Sequence, residues 1–152
     1  MTRFAAILLR LVLILCGYVC ATLAASAVLH VFILGGMEWA PGELAFVAGS
    51  FLFSVPFVAL FVGFFALAPG AVAILAAEIM GWRSFAYFAF AGAAAGLAIV
   101  FFYRFHNGVD STLNPFAMSV ALGTSGMAGG IVYWIVAGRG TGELISPTRS
   151  GS

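Results

Sequence analysis

The chain has 152 residues, of which 64% are hydrophobic, 15% aromatic and 7% charged, with a formal net charge of +1 and a mean hydropathy of +1.17. A soluble domain averages about 45–50% apolar and about 25% charged residues, so six basic and five acidic side chains cannot solvate the surface of a 15.8 kDa globule. This balance excludes an ordinary soluble enzyme, a disordered chain and a nucleic-acid-binding domain, and leaves a polytopic membrane protein.

A helix needs roughly 20 apolar residues to cross about 30 Å of hydrocarbon. The first apolar run extends from Phe4 to Leu34 and is broken only by Arg10. With Arg10 at the interface, where its stem can snorkel, residues 11–34 form the first span. Cys16 and Cys20 lie inside it, four apart on one helix face, a geometry that suits a disulfide poorly; they read as small apolar fillers. Met1 to Ala27 also has the outline of a secretory signal peptide, ending in Ala25-Ser26-Ala27. The apolar run nevertheless continues through Val28 to Leu34, as in a membrane anchor.

The second run, residues 44–67, opens on Glu43, an anion favoured at the positive end of the helix dipole. It contains Pro56, which predicts a kink, and ends at Pro69-Gly70. Residues 71–80 are apolar but too short to span. Fused to the third apolar run, they would draw Glu78 and Arg83 into the hydrocarbon. The expectation is a short interfacial or re-entrant helix between Gly70 and Gly81. Residues 85–103 form the third span, with Ser84 as its cap, and residues 116–137 the fourth. Asn114-Pro115 reads as an N-cap followed by proline at the first helical position. The Gly-, Ser- and Thr-rich tail 138–152 reads as a flexible solvated end.

Arginine counting sets the orientation. With four spans both termini share a side, which carries Arg3, Arg10, Arg83, Arg139 and Arg149 against Arg104 alone on the other. Glu38, Glu43 and Asp110 also fall on the Arg104 side. Both termini are therefore expected in the cytoplasm, as in a bacterial inner-membrane protein. Trp39 at one face, and Trp82 and Trp134 at the other, sit where interface anchors belong.

Small residues give the clearest packing signal. The third span holds Gly92 and Gly96 as a GxxxG pair, and the fourth holds Gly123, Gly126, Gly129 and Gly130. In lipid, helices associate through close backbone approach, so such stripes mark contact faces. The plain reading is packing of the third span on the fourth; the sharper one is a face for a second copy or a larger partner. The second span instead carries Phe46, Phe51, Phe53, Phe57, Phe61, Phe64 and Phe65, which suit lipid contact.

Glu78 is the acid most exposed to desolvation by this arrangement. It is either a proton or cation site or one half of an ion pair with Arg10 or Arg83, and the pair is favoured. His30 and His106 invite a haem or metal reading, but no His-x-x-His, Glu-x-x-His or paired carboxylates support it. Arg104, His106, Asn107, Asp110, Ser111, Thr112 and Asn114 form the one dense polar stretch, read as a solvated connection. Thr22, Ser26, Ser50, Ser54, Ser119, Thr124 and Ser125 could line a polar path, although such hydroxyls also bond back to their own helix. No phosphate loop, nucleophile elbow or Cys-x-x-Cys is present.

The sequence thus predicts an all-α integral membrane protein, a compact four-helix bundle with one short extra helix after the second span. It binds no cofactor, metal or nucleic acid and catalyses no reaction. Its expected role is that of an accessory, scaffold or assembly subunit, partnered by the bilayer and by itself or a larger membrane complex. The alternative is a small oligomeric transporter or channel using Glu78 and the intramembrane hydroxyls.

Overall fold

The computed structural model describes residues 3–36, 43–107 and 114–140. Expectations for Glu38, Trp39, Asp110, Ser111, Thr112, Arg149 and the tail from 141 onward lie outside the described residues. Four helices run in chain order: α1 (Arg3–Gly35), α2 (Glu43–Met80), α3 (Phe85–Asn107) and α4 (Pro115–Val136), followed by a 3-10 turn over Gly138–Gly140. All four are long and apolar enough to cross a membrane. The chain is a small multi-pass membrane protein built as a four-helix bundle.

The expected short helix over residues 71–80 is not a separate element. α2 runs without interruption through Pro56 and Pro69 to Met80. Each proline removes one backbone donor and frees the carbonyl four residues earlier, that of Leu52 for Pro56 and of Phe65 for Pro69, a loss that membrane helices tolerate. Across the bundle Ser26 Oγ donates to the Val55 carbonyl at 2.8 Å and Tyr87 Oη to that of Ala73 at 2.8 Å, which ties α2 to α1 and α3. The expected stop at Pro69-Gly70 fails because both residues lie within the continuous helix. The true stop is at Gly81, whose φ of +65° is the left-handed conformation that glycine adopts without penalty. Trp82 N–H donates to the Ala77 carbonyl at 3.0 Å, the six-to-one bond of a Schellman motif.

Three further bounds differ from the hydropathy reading. α1 begins at Arg3 rather than at residue 11, because Arg10 turns into the bundle instead of snorkelling. α3 continues past residue 103 to Asn107, carrying Arg104 and His106 in its last turn, where cations complement the helix dipole. Gly138 is buried in the 3-10 turn, so residues 138–140 belong to the fold and not to a tail. The start of α4 matches its reading: Asn114 Oδ1 accepts from Phe116 N–H at 3.0 Å, and Pro115 occupies the first turn.

α4 is the central helix. It packs most extensively on α3 and then on α1, while α2 leans on α1 and only thinly on α3. The α3–α4 pair keeps a single antiparallel register: Gly92 meets Gly126, Gly96 meets Leu122, and Phe88 meets Gly130. A Cβ added at Gly92, Gly96, Gly126 or Gly130 would run into a backbone carbonyl of the opposite helix. Contact this close is open only to glycine. α4 has a second close face, toward α1, where a Cβ on Gly129 would lie 2.9 Å from the Ala21 carbonyl oxygen.

The α1–α2 pair does not keep one register. Ser26 bonds to Val55 and His30 packs edge-on against Phe51 at 5.4 Å, so the two helices advance together there. Continued downward, that register would place Arg10 opposite Ala71, whereas Arg10 pairs with Glu78, two turns further along α2.

Candidate functional site: a buried ion pair and an apolar cavity

The ends of all four helices that carry Arg10, Glu78, Arg83 and Ala137 gather at one pole of the bundle. Arg10, 6% exposed, donates from Nε (3.0 Å) and Nη2 (2.5 Å) to Glu78 Oε1, and from Nη1 to the Ala137 carbonyl at 2.8 Å. One guanidinium therefore ties α1 to the end of α2 and caps the end of α4. Ala137 is the C-cap residue of α4, whose carbonyls carry the negative end of its dipole, a favourable place for a cation. Glu78 is 8% exposed. Two buried charges, hydrogen-bonded to each other, avoid the penalty that either alone would incur in an apolar medium.

Arg83 lies exposed in the turn between α2 and α3, where its carbonyl accepts the Trp134 indole N–H at 2.9 Å. Arg139 stacks over the Trp134 ring at 4.8 Å. Trp82, Tyr87, Phe88 and Tyr133 continue this aromatic layer, with ring centroids about 5 Å apart between neighbours.

Adjoining the pole is a cavity of about 110 Å3 bounded by all four helices. Its walls are almost wholly apolar. Tyr18, Val62, Gly70 and Ile74 contribute from the α1–α2 side, and Phe88, Gly126 and Tyr133 from α3 and α4. Tyr18 Oη spans part of the gap to donate to the Gly63 carbonyl at 2.5 Å. Among the described residues, the Tyr133 hydroxyl is the buried side-chain oxygen that has no hydrogen-bond partner.

The other residues singled out from the sequence take quieter positions. Thr22, Ser50, Ser54, Ser119, Thr124 and Ser125 each donate to a carbonyl three or four residues back on their own helix. Nδ1 of His30, which is buried, lies 2.9 Å from the Ser26 carbonyl, while His106 is exposed. Cys16 and Cys20 are free and exposed. Among the described residues no three of His, Cys, Asp and Glu converge as metal ligands would. Gly123 is not a close-approach position, since a Cβ there would meet Leu97 at an ordinary 3.6 Å. The sequence reading missed Gly17 as a contact residue: a Cβ there would lie 2.9 Å from that of Ala137. Its signal was the four-residue spacing of Gly17, Ala21 and Ala25.

Compared with family models, curated proteins and solved structures, the chain matches none. Function is therefore argued from the site alone.

Proposed function

We propose that the protein is a non-enzymatic accessory or scaffold subunit of the cell membrane, with both termini cytoplasmic, that presents α2 to the helices of a partner complex or a second copy. The observation that carries this reading is that the buried charges and the Ser and Thr hydroxyls of the helices are engaged within the bundle, the Tyr133 hydroxyl apart. Arg10 and Glu78 neutralise each other, and the hydroxyls along the helices donate to backbone carbonyls. A transport path needs polar groups turned toward a lumen, and the space inside this bundle is apolar. The glycine faces are occupied within the chain, α3 against α4 and α4 against α1, so they are not the surface offered to a partner. α2 is the helix least committed to the bundle, and it turns outward a stripe of Phe53, Phe57, Phe61 and Phe64, each more than half exposed. Bulky aromatic rings at helical spacing give a helix neighbour in lipid a large van der Waals surface.

Two measurements test this. Proteoliposomes carrying the purified protein should leak protons and monovalent cations no faster than protein-free vesicles; flux that Glu78→Gln abolishes would establish the transport reading instead. After gentle extraction, a Phe57→Ala/Phe61→Ala/Phe64→Ala variant should lose its stable association, whether with a partner or with itself, while its melting temperature stays within a few degrees of wild type. Retention of the same assembly by that variant would reject α2 as the presenting face.

A further inference from the structure

Charge at the pole is divided between its interior and its surface. Among the described residues there, Arg10 and Glu78 are bonded to each other inside the bundle, whereas Arg83 and Arg139 are exposed and carry the outward positive charge. One tryptophan holds both exposed segments. The Trp134 indole N–H donates to the Arg83 carbonyl at 2.9 Å, and the Arg139 guanidinium lies 4.8 Å from the centre of the same ring. The turn that bears Arg139 is packed in place: a Cβ on the buried Gly138 would stand 3.0 Å from Trp134 Cδ1 and 3.1 Å from Phe88 Cε2. Stacking engages only the face of a guanidinium. Its N–H donors lie in the plane of the group, in a fork that matches two oxygens of a phosphate.

We propose that this pole binds the phosphate of an anionic phospholipid in the adjoining leaflet, with Arg139 as its principal ligand and Arg83 as a second positive charge. Three observations select a lipid. The surface lies at the ends of spanning helices, where a tryptophan sits at headgroup level, and Trp134 therefore sets Arg139 at the depth of lipid phosphates. Apolar surface adjoins the charge: Phe85, edge-on to Trp134 at 5.3 Å, is 46% exposed, and Ile135, one turn before Arg139, is 51% exposed. A ligand with a phosphate and acyl chains meets both surfaces, whereas a free phosphate meets only the first. The stacked guanidinium, finally, is already oriented, so a bidentate phosphate contact needs little further ordering of the side chain.

The test uses the full-length chain with Trp39→Phe and Trp82→Phe, so that Trp134 is the single fluorescent reporter, in bilayers that mix phosphatidylglycerol and phosphatidylcholine. Either lipid in turn carries brominated acyl chains, and the quenching of Trp134 gives the relative affinity of the two lipids at this pole. Phosphatidylglycerol should be preferred, and Arg139→Gln should cut that preference about five-fold, the equivalent of ~1 kcal/mol per basic group at a membrane surface. Arg83→Gln/Arg139→Gln should bring the two lipids close to equality. Arg139→Lys, which keeps the charge without the planar fork, should fall between wild type and Arg139→Gln. Excess inorganic phosphate at matched ionic strength should leave the quenching by brominated phosphatidylglycerol unchanged. Both arginines are exposed, so each variant should keep its melting temperature within a few degrees of the parent. Equal quenching by the two brominated lipids, or a preference that survives Arg139→Gln, would overturn the proposal. Full recovery in Arg139→Lys would also overturn it, as diffuse attraction in place of a site, and so would displacement of the lipid by inorganic phosphate.

Discussion

Replacing Glu78 by leucine should be among the most damaging single changes in the membrane interior, and the structure gives the reason. In the variant the Arg10 Nε and Nη2 donors lose their acceptor while Nη1 keeps the Ala137 carbonyl. The guanidinium remains charged, because arginine does not deprotonate in proteins. Removing one partner of a buried pair costs about 3–5 kcal/mol. Arg10→Met should cost less, since an orphaned Glu78 can take up a proton and become neutral, whereas Arg10 has no equivalent escape. The double variant Arg10→Met/Glu78→Leu removes both charges and with them the charge-assisted cap on α4, worth about 1.5–3 kcal/mol. It should therefore be more stable than Glu78→Leu alone. The assay is reversible unfolding by SDS in mixed micelles, followed by far-ultraviolet circular dichroism, with the four proteins arranged as a double-mutant cycle. A loss below about 1 kcal/mol for Glu78→Leu, or a double variant no better than the single, would refute the view that this pair clamps three helices together.

The same assay separates the glycines by their surroundings. Gly126→Ala and Gly130→Ala should each cost about 1–3 kcal/mol, because the added Cβ meets the backbone of α3 and the helices must part. Gly49→Ala, where nothing lies within 4 Å, should stabilise by about 0.5–1 kcal/mol through helix propensity. Gly81→Ala should lower stability by about 1–2 kcal/mol, since an L-residue is strained at a φ of +65° even with open space around it.

Much of the architecture is legible in the composition. Hydropathy locates four spans because the bilayer demands long apolar helices with internally satisfied backbones, and no other solution is open to a chain this poor in charge. Local chemistry fixes several ends, since the Asn114-Pro115 cap and the Gly81 stop depend on residues within one turn. The GxxxG pattern marks close contact faces because spacing alone decides which glycines share a side of a helix.

The relations between distant segments are left open by the sequence. Whether Pro69-Gly70 ends a helix depends on how the segments on either side are held, and here Tyr18 of α1 and Tyr87 of α3 bond to α2 carbonyls on both sides of it. Whether Arg10 snorkels or turns inward depends on Glu78, 68 residues away along the chain. The glycine stripes are visible in one dimension, but only the tertiary structure shows α4 carrying two of them, closing on α3 and α1 at once. The cavity beside Tyr133 likewise leaves no local signature, because its walls are drawn from all four helices.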